Sequence, residues 1–323
     1  MNSNSSEEND YPEWQTNLSK YSKGIKKLHY EIFDYTIFHI PDENYKYHRN
    51  LTVNLFNQIL KSYYPSTTYF LFGSSIQNLE IKNSNINISI LCELCCTNSN
   101  QIYFLENLKE ILIIEDFSYQ NNIEIIYSKI PYLKAFCKYT NFQINISLNQ
   151  TEKIEFSQKI KNFILKHPIL KYMIIFIKKF FEINNLKSEK NEGMNSYSIL
   201  ILVIHFYQNY ISKKDNLINL NFGDFFIQFL RYYVYNIDYK NYGISIKDGG
   251  KIFKIKNQFK YKKINSLEIC IEDYIEDDDF NGINFKQFNE IYSLFKMSLH
   301  KIIELLEKPE KDFVSFLREI GFD

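Results

Sequence analysis

The chain has 323 residues, with 38 lysines and arginines against 38 aspartates and glutamates, so its formal net charge is zero. This balance excludes a protein held to nucleic acid by overall charge alone, although a local basic groove stays open. Apolar residues make up 45% and charged residues 24%, which is ordinary globular composition and excludes a disordered chain. The length suits one large domain or two ordinary ones.

Nothing in the sequence is typical of a membrane or secreted protein. The first ten residues are polar and acidic, and no basic stretch followed by an apolar run marks a signal peptide. The longest apolar runs, such as residues 199–206, are too short to cross a bilayer. The five cysteines, an odd number, fit reduced thiols. We therefore expect an intracellular protein, nuclear or cytoplasmic, that is neither secreted nor bound to a membrane.

The N-terminal half of the chain changes from helical to strand periodicity. Residues 1–16 are polar, and we expect a disordered tail there. Residues 18–60 follow a helical period with a break at Pro41. From Thr67 onward, short runs rich in β-branched and aromatic residues predict strands at residues 68–72, 87–92, 123–127 and 142–148.

After Thr151 the helical period returns. Long apolar-periodic segments predict helices at residues 154–165, 169–181, 197–210, 222–235 and 285–306. The glycine-containing stretch 243–250 is typical of a β-hairpin. The pattern therefore predicts a small α/β domain at residues 53–152, inserted into a mainly helical body formed by residues 17–52 and 153–323.

A possible phosphate site lies where the first predicted strand ends. Gly73 and Ser74 follow Phe72 directly and open a helix, so backbone N–H groups and a hydroxyl can face an anion. Alone, this pattern is more often an ordinary strand–turn–helix than a phosphate site. The next predicted strand begins with Ser-Asn-Ile-Asn, which contains Asn85 and Asn87, and this spacing makes the signal more specific.

This arrangement closely resembles the signature of the DNA polymerase β-like nucleotidyltransferase superfamily, in which Gly-Ser is followed by Ser-Asp-Ile-Asp on a strand. The resemblance implies that Asn85 and Asn87 stand at the positions of two catalytic aspartates. Residues i and i+2 of a strand point to the same side, so the family's pair holds two Mg²⁺ ions jointly.

Further blocks, in the same order along most of the chain, resemble the non-canonical poly(A) polymerases. Residues 142–149 resemble the strand carrying the third catalytic aspartate, which places Asn145 at that position. Residues 174–181 resemble the helix whose lysine, here Lys178, reaches the triphosphate. Residues 193–200 resemble Gly-Gly-Leu-Ser-Ser-Tyr-Ser-Leu and contain Ser196 and Tyr197. The other blocks are residues 28–49, 130–134, 221–226, 243–250 and the nucleotide-recognition loop 267–279.

The resemblance implies an α/β palm with a mixed sheet and helices, inserted in a helical central domain that carries a poly(A)-polymerase-associated region, with a cleft between them. It also implies nucleotide-binding roles for five residues: Gly73, Ser74, Lys178, Ser196 and Tyr197. Simpler interpretations stay open, because Lys178 could extend its stem along a core helix and the two serines could cap helices.

The departures from the family pattern concern catalysis directly. Asn replaces Asp at all three positions, Asn85, Asn87 and Asn145. A neutral amide gives a hard cation one carbonyl oxygen and no charge, and Asn145 cannot accept a proton from an attacking hydroxyl. We therefore expect no metal and no cofactor, and a catalytically inactive subunit of an RNA-processing complex. The replacements have two explanations, natural drift or deliberate replacement.

Two alternatives remain. One is an active RNA 3′-terminal adenylyl- or uridylyltransferase that uses Mg²⁺ with ATP or UTP, the natural protein having Asp where this sequence has Asn. The other is a scaffold that contacts only proteins.

An RNA 3′ end is the expected nucleic-acid partner. Lysines interleaved with Phe253, Phe259 and Tyr261 could lie along an RNA strand, and four of them are candidates: Lys251, Lys254, Lys256 and Lys260. A solvated hairpin edge guarded by lysines fits the same pattern. By resemblance, expected protein partners are a zinc-knuckle RNA-binding protein, an RNA helicase or an RNA-dependent RNA polymerase.

Overall fold

The structure is a computed structural model that describes residues 12–187, 194–213, 221–255, 268–274, 288–308 and 315–322. The chain divides into two compact units. The palm unit is His39–Lys171, and the helical unit combines Met1–Phe38 with Tyr172–Asp323. The domain boundaries predicted near residues 52 and 153 stay predictions.

Eleven helices and seven strands are named among the described residues. The helices are α1 Asn17–Tyr21, α2 Gly24–His39, α3 Glu43–Tyr63, α4 Ser74–Gln77, α5 Asn98–Ile114, α6 Thr151–Lys166, α7 Ile169–Ile183, α8 Ser196–Phe206, α9 Phe222–Tyr235, α10 Phe288–Glu307 and α11 Phe316–Glu319. The strands are β1 Thr68–Phe72, β2 Ile86–Leu91, β3 Ile123–Ile126, β4 Tyr132–Phe136, β5 Gln143–Leu148, β6 Tyr242–Ser245 and β7 Lys251–Lys254.

The palm unit is built on a five-stranded sheet in the order β1-β2-β5-β4-β3. The β2–β5 pair is parallel, and the other three pairs are antiparallel. The mixed sheet that the resemblance implied is therefore confirmed. Alternate residues of the central strands, such as Ile88 and Ile146, are fully buried, as expected for strands with one face on a core.

Helix α5 completes the palm core, although the apolar patterns did not predict it. It begins at the N-cap Thr97, whose hydroxyl accepts a hydrogen bond from the N–H of Asn100 at 3.3 Å. Its buried face carries Leu105 and Leu108, which belong to the same core as the sheet residues. The first turn is rich in Asn and Ser, which weakens the helical pattern at the sequence level.

Aromatic rings fill the core of the helical unit. Phe180 on α7 packs edge-on against Phe226 of α9, with ring centroids 5.5 Å apart, and stacks on Phe322 at 5.9 Å. Phe295 of α10 packs against Phe229 of α9 at 5.5 Å. The helices predicted in this region are confirmed over the described residues, and residues 285–287 of the last one lie outside them. The segment 197–210 differs, because α8 ends at Phe206 and a π-helical turn follows at Tyr207–Ile211.

The hairpin predicted at residues 243–250 is confirmed as the antiparallel pair β6–β7. Gly243 faces Phe253 across this pair. A Cβ at Gly243 would lie 2.5 Å from Cζ of Phe253 and 2.9 Å from the carbonyl oxygen of Cys270. A glycine is therefore required for the hairpin to pack under the segment that contains Cys270.

The disordered tail predicted for residues 1–16 is wrong for its last five residues; residues 1–11 lie outside the described ones. Trp14 is only 4% exposed and packs edge-on against Tyr35 of α2. Asp34 of α2 accepts hydrogen bonds from the N–H and hydroxyl of Thr16, at 3.1 and 2.6 Å. Burial of the indole and this pair of hydrogen bonds outweigh the polar character of the segment.

The C-terminal helix α11 is held by the same helix α2. The buried carboxylate of Glu31 accepts a hydrogen bond from the N–H of Leu317 at 3.0 Å. Burial, partly offset by this bond and by Lys27, raises the pKa of Glu31 to about 7. Because the folded-state pKa lies above the ordinary value of 4.5, Glu31 adds to the free energy of unfolding at low pH. This contribution is complete below about pH 4.5 and is lost as the pH rises through 7.

Replacing Glu31 by Gln should therefore raise the free energy of unfolding at pH 8.5, by roughly 2–3 kcal/mol, and change it little at pH 4.5. Thermal melts at the two pH values measure the difference. Glu290→Gln, an exposed position on α10, is the control and should show no pH-dependent gain. Equal effects of Glu31→Gln at both pH values would contradict the assignment.

Candidate functional site

A row of five residues crosses the palm sheet and contains two of the predicted catalytic positions. Phe72 of β1 pairs with Asn87 of β2, and Asn87 pairs with Asn145 of β5. Asn145 pairs with Lys134 of β4, which pairs with Glu124 of β3. Directly paired residues point to the same face, so the five side chains share one side of the sheet. The structure therefore brings Asn87 and Asn145 together, as the sequence predicts.

The amides of this row are hydrogen-bonded to one another. Nδ2 of Asn145 donates to Oδ1 of Asn87 at 3.2 Å, and Nε2 of Gln143 donates to Oδ1 of Asn145 at 2.8 Å. Both asparagine oxygens thus already accept a hydrogen bond from an amide. The sequence reasoning missed Gln143, although it lies two residues before Asn145 and strand alternation places it on the same face.

Asn85 is the residue before β2, and its half-buried side chain makes no hydrogen bond to the described residues. Helix α3 holds the loop that leads to it. Tyr45 donates its hydroxyl to the carbonyl of Ile81 at 3.3 Å. Nε of Arg49 lies 2.6 Å from Oε1 of Glu80, and both side chains are largely buried. Glu80, a carboxylate close to the candidate site in sequence, is therefore already paired.

A pair of divalent cations does not fit this donor set. Asn85, Asn87 and Asn145 supply neutral oxygens only, two of which are occupied by amide donors. Mg²⁺ sheds water reluctantly and is held in proteins by carboxylates and phosphates. Among the described residues, no group of three or more His, Cys, Asp or Glu side chains is placed to hold a metal ion.

The turn at Gly73 lies close to the side chain of Asn87. Gly73 has φ of 73°, and a Cβ there would lie 3.1 Å from Nδ2 of Asn87. Its N–H donates to Oγ of Ser157 on α6 at 2.8 Å. The following helix α4 has four residues, too short for a strong dipole, and Ser74 does not cap it. A phosphate contact at Gly73 or Ser74 stays a prediction.

Lys178 is buried in the helical unit. It lies on α7 and is 5% exposed, and it has no hydrogen-bond or carboxylate partner within the described part of the chain. Burial, together with the nearby positive charge of Lys187, lowers the pKa of Lys178 to about 7. A buried lysine without a partner weakens the fold when it is charged, and the triphosphate contact that the resemblance implies for Lys178 stays a prediction.

Ser196 and Tyr197 open α8 and have different environments. Asn195 caps this helix by accepting a hydrogen bond from the N–H of Ser198 at 2.9 Å, so the exposed Ser196 is not the cap. The hydroxyl of Tyr197 donates to Oδ1 of Asp273 at 2.7 Å and accepts from the N–H of Tyr274 at 2.9 Å. The start of α8 therefore fixes part of the loop that resembles the family's recognition loop.

The candidate RNA-binding lysines do not form one basic strip where they are described. Lys251 and Lys254 lie three residues apart on β7 and therefore point to opposite faces of the hairpin. Lys251 lies 3.0 Å from the carboxylate of Asp248, whereas Lys254 is exposed. The other two candidates, Lys256 and Lys260, lie outside the described residues.

The fold is that of a nucleotidyltransferase-type polymerase core. The chain resembles the polymerase core of TRAMP, an RNA surveillance complex, with a TM-score of 0.75, 22% identity and 95% of each chain covered. It also resembles the Cid1 poly(U) polymerase, with a TM-score of 0.75, 15% identity, and 92% of this chain and 99% of that chain covered. The predicted fold class is thus confirmed.

Two family matches agree with the order of the motifs. Residues 28–164 match the family described as the central palm domain of mitochondrial-like poly(A) RNA polymerase. Residues 221–278 match the Cid1 family of poly(A) polymerases, through its poly(A)-polymerase-associated region. Together the two matches confirm the resemblance to the non-canonical poly(A) polymerases seen in the sequence.

The curated relatives have low sequence identity to this chain, and most of them are much longer than it. Poly(A) RNA polymerase protein 2 of Saccharomyces cerevisiae is 25% identical over 294 residues, which cover 87% of this chain and 48% of the relative. Poly(A) RNA polymerase cid14 of Schizosaccharomyces pombe is 23% identical, with 80% and 38% covered. The chain thus spans about half the length of these relatives, or less. The inactive non-canonical poly(A) RNA polymerase protein Trf4-2 of Drosophila melanogaster is 24% identical, with 83% and 67% covered.

No helix in the described part of the chain is long and apolar enough to span a membrane.

Restoring the carboxylates should make the palm unit dependent on a metal. A variant with Asn85→Asp, Asn87→Asp and Asn145→Asp should melt several degrees lower in EDTA, because three clustered carboxylates repel one another. Mg²⁺ or Mn²⁺ should then raise its melting temperature, while the unchanged chain should not respond. Replacing three exposed asparagines, Asn107, Asn121 and Asn162, by Asp is the matched control. A triple variant as stable as the parent in EDTA would contradict this account.

Replacing Lys178 by Met should stabilise the helical unit. The folded-state pKa of Lys178 lies below its ordinary value of 10.5. The contribution of Lys178 to the free energy of unfolding is therefore present above pH 10.5 and is lost as the pH falls through 7. The melting temperature of Lys178→Met should exceed that of the parent by roughly 4 °C at pH 6 and by less at pH 9.5. Lys296→Met, at an exposed position on α10, should show no such trend.

Proposed function

We propose that this protein is a catalytically inactive member of its family that acts as a structural or RNA-positioning subunit of an RNA-processing complex. The observation that carries the proposal is the hydrogen-bonded amide pair of Asn87 and Asn145 at 3.2 Å, in the row that crosses the palm sheet. Family resemblance assigns these positions to metal-binding carboxylates. Here neutral side chains fill them and satisfy one another.

The missing charge is the main obstacle to catalysis. Three carboxylates would bring three negative charges toward two divalent ions, and each ion–carboxylate contact is worth on the order of several kcal/mol even at a high effective dielectric. Losing all three predicts a rate lower by many powers of ten. The amide network adds to this, because the side-chain oxygens of Asn87 and Asn145 each already accept a hydrogen bond from a neighbouring amide.

Proton transfer meets the same obstacle. The family position filled by Asn145 serves as the base for the attacking 3′-hydroxyl, and a neutral amide cannot accept that proton. Glu80 cannot readily replace it, because its carboxylate is engaged by Arg49 at 2.6 Å. Glu93 is exposed beyond the opposite end of β2. No other carboxylate on this face of the described sheet lies closer than Glu124, which is three strands from Asn87.

A role without catalysis has support among the relatives. One similar protein is itself described as inactive, and similar structures come from TRAMP and from the GLD-2/RNP-8 complex. TRAMP and GLD-2/RNP-8 are both described as complexes. We therefore favour a subunit that keeps the polymerase architecture in order to position RNA or partner proteins.

A tailing assay tests the inactivity. Incubated with a 3′-hydroxyl RNA, labelled ATP or UTP, and Mg²⁺ or Mn²⁺, the chain should give no extension above a no-enzyme blank. The triple Asn→Asp variant serves as a comparison for any recovered extension. Robust tail synthesis by the unchanged chain would overturn the proposal in favour of an active adenylyl- or uridylyltransferase.

Ultraviolet crosslinking to single-stranded RNA tests the RNA contact. Replacing four lysines of the hairpin region by Gln, namely Lys251, Lys254, Lys256 and Lys260, should lower crosslinking several-fold. The control replaces four exposed lysines of the same unit by Gln: Lys23, Lys26, Lys296 and Lys308. Equal loss in both variants would indicate charge alone, and no crosslinking of the parent would favour a protein-only scaffold.

A further inference from the structure

The strand β3 forms an open edge of the palm sheet. It pairs with β4 on one side, and within the described residues no strand pairs with its other side. Such an edge offers a row of N–H and C=O groups to another chain. Proteins often protect edges with lysine, proline or a bulge, none of which occurs in β3; the strand reads Ile-Glu-Ile-Ile, carries a single charge at Glu124 and is followed by Tyr127. The edge therefore has the character of a pairing site.

A groove runs beside this edge. It has a volume of about 470 Å³ and is lined by α5 and β3, through Glu106, Asn107, Lys109, Glu110, Glu124, Ile125 and Tyr127. Tyr127 is 67% exposed, and the three residues 106, 107 and 110 all face solvent on α5. The groove thus offers one large aromatic ring and an apolar floor beside unpaired backbone groups.

The charges of the groove select the chemistry of its occupant. Its lining carries three carboxylates, Glu106, Glu110 and Glu124, against one ammonium group, Lys109. Of these three carboxylates, Glu124 alone is paired with Lys134, at 3.2 Å, and both side chains are partly exposed. The carboxylates on α5 have no ion-pair partner within the described residues. Complementary charge favours a cationic ligand and repels nucleic acid.

We propose that this groove binds an extended, lysine- or arginine-rich segment of a partner protein, which adds to β3 as a further strand. Backbone hydrogen bonds to the free edge supply the affinity. Alternate side chains of the segment face the groove, where its cationic groups meet Glu106 and Glu110, and the side chains between them point to the other face of the sheet. This site shares Glu124 with the row across the palm sheet, but the proposal does not depend on whether the protein is inactive.

A second copy of this chain is a poorer occupant. Pairing β3 with its own copy would bring two acidic grooves together, and like charges placed opposite one another destabilise a sheet. A basic segment removes this repulsion and uses the same backbone groups.

The experiment uses the full chain and two labelled peptides. The first alternates Lys with Ile and Val over ten residues, and the second has Glu in place of each Lys. Fluorescence anisotropy measures binding at low and high salt. Hydrogen exchange then measures protection of the amides of β3 when each peptide is added.

The Lys peptide should bind, the Glu peptide should not, and high salt should weaken binding several-fold. The charge-reversal variant Glu106→Lys/Glu110→Lys should lose at least ten-fold in affinity. The control Glu152→Lys/Glu155→Lys makes the same charge change on α6 and should stay within two-fold. Circular dichroism melts establish that both variants are folded.

Four outcomes would overturn the proposal. They are no measurable binding of the Lys peptide, equal binding of the Glu peptide, equal losses in the two variants, or binding without protection of residues 123–126. Concentration-dependent dimerisation that protects the same amides would assign the edge to a second copy instead.

Discussion

The hydrogen bond between Asn145 and Asn87 is the interaction on which the rest of the site depends. Two adjacent parallel strands, β2 and β5, place these side chains side by side on one face of the sheet. Carboxylates at such a spacing repel and need cations between them, whereas amides attract because each has a donor and an acceptor. The same backbone therefore supports a metal-dependent site or a self-contained polar network, and the difference is one atom per side chain.

The two units differ in whether their buried charged side chains are paired with an opposite charge. In the palm unit, Arg49 and Glu80 neutralise each other, and the candidate site itself carries no charge on its three asparagines. In the helical unit, Glu31 and Lys178 remain buried, and their pKa values move to about 7 from opposite directions. Glu31 is compensated by the backbone of α11, which it holds. Lys178 has no comparable compensation, so packing alone does not explain its presence.

The fold and the central part of the site could be predicted because both rest on local periodicity. Strand alternation predicted β2 and β5, and the family motif placed Asn87 and Asn145 on them. The features that could not be predicted depend on contacts distant in sequence. The burial of Trp14 requires Tyr35, the N–H of Gly73 is satisfied by Ser157, and the recognition-like loop is tied to Tyr197. Helix α5 was missed because its first turn of Asn and Ser hides a buried face that only the sheet reveals.

The row across the palm sheet also connects the asparagine pair to the open edge at β3. Lys134 stands between Asn145 and Glu124, and its ammonium group bonds to Glu124. With a carboxylate at position 145, this lysine would have an anion on either side. Because Asn145 is neutral, Glu124 is the only carboxylate paired beside it in the row. With a neutral residue at position 145, Lys134 turns toward the sheet edge, and there it neutralises one of the three acidic groups that border the open strand.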